Sequence, residues 1–229
     1  MKQRVILSRR RAELGSERQY LQLFGALVAL FVLQAALNQT AVSTLIEVVV
    51  AGAALILAFR LAEVPRRIVL AISGVVGLAI VAAIGQLIFG QTENSAKALG
   101  VVNLLLLAAG TPALITATLR HSSISMSTVL GAMTIYVAIG LFFASLYHSF
   151  VEFNPASFVT SNGPLTPSAT QYLSFVTITT VGFGDITPVT NLARTTVALE
   201  ALIGQVYLVT VVALVVGRLG SERRARPPK

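Results

Sequence analysis

Apolar residues gather into six segments, at 21–37, 41–59, 68–89, 98–119, 129–150 and 192–219, each parted from the next by a more polar stretch. An α-helix rises 1.5 Å per residue, so crossing about 30 Å of hydrocarbon takes about 20 such residues. The pattern predicts six transmembrane helices, the first of them short. The interval between the fifth and sixth differs. It starts too polar to span, yet residues 168–179 read as a short apolar helix that dips into the membrane, opened by Pro167 and Ser168.

Composition fits an integral membrane protein: of 229 residues, 55% are hydrophobic and 11% charged, and the mean hydropathy is +0.81. A net charge of +8 would fit a nucleic-acid binder, but the basic residues flank the apolar segments instead of covering one face, so no nucleic acid is expected as a partner. With the N-terminus inside, fifteen of the 17 Lys and Arg fall on the cytoplasmic side, and only Lys97 and Arg194 lie outside. This asymmetry predicts a multi-pass protein of the cell membrane with both termini cytoplasmic and the 150–192 loop external. The absence of cysteine excludes disulfides and thiolate metal sites.

The expected organisation is a basic cytoplasmic segment at 1–20, a four-helix peripheral domain at 21–120, a linker at 121–128, a second domain at 129–219 and a basic tail at 220–229. The first apolar run lacks a small-residue cleavage site and leads into further spans, so it reads as a retained helix. The ten-residue tail leaves no room for a nucleotide-sensing domain, and is expected to be disordered or bound to anionic lipid headgroups.

One stretch carries specific chemistry: Thr177-Ile178-Thr179-Thr180-Val181-Gly182-Phe183-Gly184-Asp185, set between the short helix and the last span. Holding a dehydrated cation takes backbone carbonyls aimed at a narrow axis. Glycines at alternate positions, here Gly182 and Gly184, allow backbone angles that other residues avoid. In a soluble protein the same run would be a glycine-rich turn.

From residue 168 to about 220 the sequence resembles the pore module of potassium channels, and Thr180 to Asp185 is similar to the filter of voltage-gated ones. The resemblance implies an all-α membrane protein with six transmembrane helices, a re-entrant pore helix and a filter loop. It also implies that the carbonyls of Thr180, Val181, Gly182 and Phe183, with the Thr180 hydroxyl, hold K⁺, Gly184 closing the run. One chain carries one such segment, so four chains are implied in a homotetramer. K⁺ is then the permeant ion; no cofactor and no enzymatic activity are expected.

The segment Asp185-Ile186-Thr187-Pro188-Val189-Thr190 and Arg194 resemble the passage from filter to inner helix in bacterial potassium channels. By that resemblance Gly204 lies where a gating hinge often occurs; close helix packing is the other reading. Leu208, Val212 and Val216, four apart, are candidates for an apolar gate, and Gln205 for the cavity wall. Where the family often has a Trp bonded to the filter Asp, this chain has Tyr172, thirteen residues before Asp185; it has no Trp at all.

The first four helices match that superfamily only in number and order. Residues 98–119 hold no Lys or Arg, with Lys97 and Arg120 only at their ends, so steep voltage sensing is not expected. Pro112 is expected to kink this helix. Two acids lie within spans. Glu200 is expected to support the filter from behind, and Glu47 to be either a member of a buried pair or a protonated packing residue. His121 and His148 read as interfacial residues at helix ends. A weakly selective cation channel, a potassium transporter subunit and a non-conducting scaffold remain alternatives, and the gating stimulus stays open among voltage by another route, lipid, pH and tension.

Overall fold

The computed structural model describes residues 2–37, 40–90, 92–119, 126–161 and 163–224. Seven α-helices follow one another: α1 (Lys2–Ala36), α2 (Ala41–Leu61), α3 (Arg66–Phe89), α4 (Glu93–Leu119), α5 (Met126–Phe153), α6 (Pro167–Ile178) and α7 (Asn191–Arg224). Six contain a stretch long and apolar enough to cross a membrane, namely Glu17–Ala36, Ala41–Leu61, Arg66–Phe89, Asn94–Thr118, Thr128–Phe153 and Asn191–Val211. The exception is α6, with 12 residues.

Local chemistry sets several of the ends. Thr40 and Ser43 form a capping box before α2: Thr40 Oγ1 accepts from the Ser43 amide at 3.2 Å, and Ser43 Oγ accepts from the Thr40 amide at 2.9 Å. Glu63, at φ 52, turns the chain between α2 and α3, and Pro65 then precedes the first residue of α3. Pro112 lies inside α4.

Four features differ from the sequence expectation. Helix α1 begins at Lys2, so nearly all of the 1–20 segment is helical. Residues 2–16 hold Leu, Ala, Arg and Glu and no proline, which permits the helix to run on past the lipid. Helix α7 likewise continues to Arg224 into the 220–229 tail, which meets no proline before Pro227; the expectation of a disordered tail is therefore corrected over that stretch, and residues 225–229 lie outside the described residues. Residues 126–128 of the expected linker belong to α5; Arg120, His121 and the rest of 120–125 lie outside the described residues.

The fourth difference is a two-stranded antiparallel sheet inside the expected all-α loop. Strand β1 (Phe158–Thr160) pairs with β2 (Ile186–Pro188), in register Phe158↔Pro188, Val159↔Thr187 and Thr160↔Ile186. Its β-branched and aromatic residues suit a strand, and the Val189 amide extends the pairing to the Ser157 carbonyl at 2.8 Å. The pair anchors the chain directly after Asp185 to the segment that follows α5.

The apolar core runs without a break from the first helices to the last. One buried cluster holds Leu23, Leu27 and Leu30 of α1, Ala54 of α2, Leu114 of α4, Leu141 and Tyr147 of α5, Leu173 and Ile178 of α6, and Ala193 of α7. Packed against it, Phe31 of α1 meets Phe175 of α6 edge to face, with ring centroids 4.7 Å apart. By contrast α3 and α7 leave long apolar faces open: Leu78 is 71% exposed and Leu202 64%.

Candidate functional site

Helix α6 is the platform of the site. Thr166 caps its start, its side chain accepting from the Ala169 amide at 3.2 Å, and Pro167 supplies a first residue whose missing N–H costs no bond. Two glycines let neighbouring helices approach it. A Cβ on Gly140 of α5 would lie 2.7 Å from the Phe175 ring, and one on Gly204 of α7 would lie 2.4 Å from Ile178 Cγ1 and 3.0 Å from the Ile178 carbonyl oxygen. Close packing alone thus requires Gly204 in this structure, whatever motion it also permits.

The way α6 ends decides the path of the next five residues. Thr179 is the C-cap. The Val181 amide donates to the Val176 carbonyl at 2.9 Å, and the Thr180 amide to the Thr177 carbonyl at 2.9 Å. This pair of bonds is a Schellman closure, which needs a left-handed residue just past the cap. That residue is Thr180, at φ 61, a β-branched side chain where glycine is usual. Positive φ recurs at Gly182 (55°) and Gly184 (78°), so the backbone alternates at 180, 182 and 184. Sequence reasoning had placed this demand on the two glycines only.

Side chains from this segment face outward from the single chain: Val181 is 53% exposed and Phe183 69%. Phe183 stacks on Tyr172, their ring centroids 6.2 Å apart and planes inclined by 7°. The Tyr172 hydroxyl donates to Asp185 Oδ1 at 3.1 Å. Tyr172 thereby holds both flanks of residues 183–185. Arg194 of α7 donates from Nε to the Pro188 carbonyl at 3.2 Å, tying the start of α7 to β2.

Behind α6 a buried polar network joins three helices. Glu200 of α7 is fully buried. Its Oε2 accepts from the Tyr147 hydroxyl of α5 at 2.5 Å, and its Oε1 lies 2.5 Å from Ser174 Oγ of α6. Ser174 Oγ also reaches the Gly140 carbonyl of α5, at 2.7 Å. A second brace lies lower: the Tyr136 hydroxyl donates to the Ile178 carbonyl at 2.9 Å, satisfying an orphan acceptor of the last turn of α6. Tyr136 stacks on Tyr207, whose hydroxyl donates to the Ala132 carbonyl at 2.7 Å. From α1, Phe31 offers its carbonyl to Gln171 Nε2 at 2.9 Å.

The structure thus brings together Tyr172, Thr180, Val181, Gly182, Phe183, Gly184 and Asp185, with Glu200 in contact with α6 from behind. Gln205 and Leu208 lie further along α7, both exposed in the single chain; the side chains of Val212 and Val216 fall outside the described residues. Sequence reasoning missed Ser174, Tyr136, Tyr147, Gly140 and Tyr207. The available signal was polar atoms inside apolar helices, which must find partners there. Glu47 lies in the wall of a separate cavity that His148 also lines, and His148 Nε2 is 3.5 Å from Glu152 Oε1.

Among the described residues no group of three or more His, Cys, Asp or Glu side chains is placed to hold a metal ion. Residues 124–220, which take in α5, α6 and most of α7, match a family model described as ion channel. No curated protein and no solved structure matches the chain. The family match, together with six helices among the described residues that are long and apolar enough to cross a membrane, supports an ion channel in a membrane.

Proposed function

We propose that the chain is a potassium-selective ion channel and that four copies of it build one pore, each contributing residues 180–184. The observation that carries this reading is the alternation of positive φ at Thr180, Gly182 and Gly184 in a T-V-G-F-G run at the end of a short helix. A backbone whose handedness alternates can present successive carbonyls to one side, and rings of carbonyls can replace the hydration shell of K⁺. In this reading α6 is the pore helix and α7 the inner helix. Asp185, Tyr172 and Glu200 hold the filter, Gly204 marks the point of possible bending, and Gln205, Leu208, Val212 and Val216 line the conduction path. The open apolar face of α7 is then an interface between copies.

Helices α1–α4 form the periphery. That the interior of α4 carries no Lys or Arg supports a reading in which this helix does not sense voltage through charges of its own. We place the protein in the cell membrane with both termini cytoplasmic, its basic ends near anionic lipids, because fifteen of the 17 cationic residues then lie inside.

The test is ion flux from the purified protein in liposomes. K⁺ and Rb⁺ should pass far better than Na⁺, and Gly182→Ala, which forces a Cβ into φ 55, should abolish that preference. Flux that does not distinguish Na⁺ from K⁺ would favour a weakly selective cation channel, and no flux a scaffold or transporter subunit.

A further inference from the structure

Away from residues 180–185, the outer ends of α2, α4 and α5 line a partly open cavity of about 100 Å³ with Gln34 of α1 and the first turn of α6. Its lining includes Glu47, Asn103, His148, Glu152 and Thr170. Four buried side-chain atoms there have no hydrogen-bond partner: Glu47 Oε1, Asn103 Oδ1, His148 Nδ1 and Glu152 Oε2. Asn103 Oδ1 accepts, the two carboxyl oxygens accept when ionised, and His148 Nδ1 accepts whenever Nε2 carries the hydrogen toward Glu152. Buried polar atoms without a partner call for an occupant that can hydrogen-bond them. A space of this size admits several waters, and among the described residues no set of side chains is placed to ligate a metal directly.

The charges that face one another can be named element by element. Glu47 comes from α2, and His148 and Glu152 from α5. Gln34 of α1, Asn103 of α4 and Thr170 of α6 contribute no titratable group. Gln34 hydrogen-bonds to Glu47. Lys97 stands one turn before Gly100 on α4 and is not part of the lining. Glu152 lies against Gly100, whose Cα side would place a Cβ 3.0 Å from Oε2, so the carboxylate is held in the interhelical space. Two carboxyl groups and one imidazole thus line one cavity.

We propose that this cavity is a proton-binding site through which pH on the side where α6 begins regulates conduction. Histidine is the side chain whose charge ordinarily changes between pH 5 and 8, and here it sits between two carboxylates. The cavity wall includes Pro167 and Thr170, in the first turn of α6, where the helix dipole is positive and favours nearby negative charge. Taking up protons removes negative charge from that end of α6. The far end of the same short helix carries Thr180. Loss of the favourable charge loosens the seat of α6, so current falls on acidification. This consequence rests on the potassium-channel reading; the proton site itself does not.

The experiment uses the full chain in lipid nanodiscs with ¹³C-labelled histidine, since the sequence holds only 2 histidines and His121→Gln leaves the His148 signal alone. The His148 resonance should move with pH, and its pH response should change in Glu152→Gln and in Glu47→Gln, since each removes a carboxyl group from the same cavity. In parallel, K⁺ flux should fall several-fold between pH 7.5 and 5.5 on the α6-start side, and His148→Gln should flatten that profile. The same profile should persist in chelator. A His148 signal indifferent to both carboxamide substitutions would overturn the site, and so would a pH effect that vanishes in chelator, which would assign it to a metal. Ordinary His148 titration with pH-independent flux would overturn the regulatory role. Absence of flux at every pH with that His148 response intact would overturn the channel reading and leave the proton site standing.

Discussion

Tyr172 does two jobs with one side chain, stacking on Phe183 and donating to Asp185. Tyr172→Phe keeps the ring and removes only the bond, so the fold and selectivity should survive while current declines faster during sustained opening. Unchanged kinetics in single-channel or whole-patch recording would show that the bond does not steady the segment. Glu200 poses a question of hydrogens. The single hydroxyl hydrogen of Ser174 faces both Glu200 Oε1 and the Gly140 carbonyl. A complete chain of donors, from Tyr147 to Glu200 to Ser174 to the carbonyl, forms when the carboxyl carries a hydrogen of its own. Glu200→Gln supplies an amide hydrogen in the same place, and should retain tetramer and flux close to wild type. Glu200→Ala strands the buried Tyr147 hydroxyl, at about 1–3 kcal/mol, and leaves Ser174 only the Gly140 carbonyl, so it should lower thermal stability and flux together; equal damage from both variants would contradict this network. The residues of the 180–185 run were legible because their chemistry is local. Their braces were not, since nothing in the sequence says which of several buried Tyr and Ser side chains meets which carbonyl.

Among the elements, α6 is the one whose ends matter most. Its start at Pro167 and its position before Thr180 were readable from capping chemistry and apolarity, because both are encoded within a few residues. The strand pair β1–β2 was not, because its register depends on partners on either side of α6. The helical extensions of α1 and α7 were also missed: apolarity marks where a helix meets lipid, and does not mark where a polar helix continues beyond it. Helix α4 carries the prediction for voltage. Moving one charge across the membrane is worth about 2.3 kcal/mol per 100 mV, and steep gating takes about 3–4 charges per subunit. With no Lys or Arg in the interior of α4, open probability should vary shallowly with potential. Steep activation equivalent to several charges per subunit would show that another element moves through the field.

At the scale of the whole molecule, the six spans and their order could be read from hydropathy alone, because a bilayer imposes one length and one polarity on everything that crosses it. Hydropathy does not distinguish a face that meets lipid from one that meets another copy. Leu199, Leu202 and Val206 are 50%, 64% and 63% exposed on α7, the helix that follows the 180–185 run. If copies cover this face, the purified protein should have the mass of four chains by light scattering corrected for detergent, and Leu202→Lys should reduce that mass. A monomeric wild type would remove the pore from the account.

The central claim is that residues 180–184 form a potassium-selective path, and the most direct measurement is the reversal potential under bi-ionic conditions, K⁺ on one side of a planar bilayer and Na⁺ on the other. The account predicts a large displacement from zero, of the sign that marks K⁺ as the permeant ion, and its collapse in Gly182→Ala. A wild-type reversal potential near zero in open channels would contradict it.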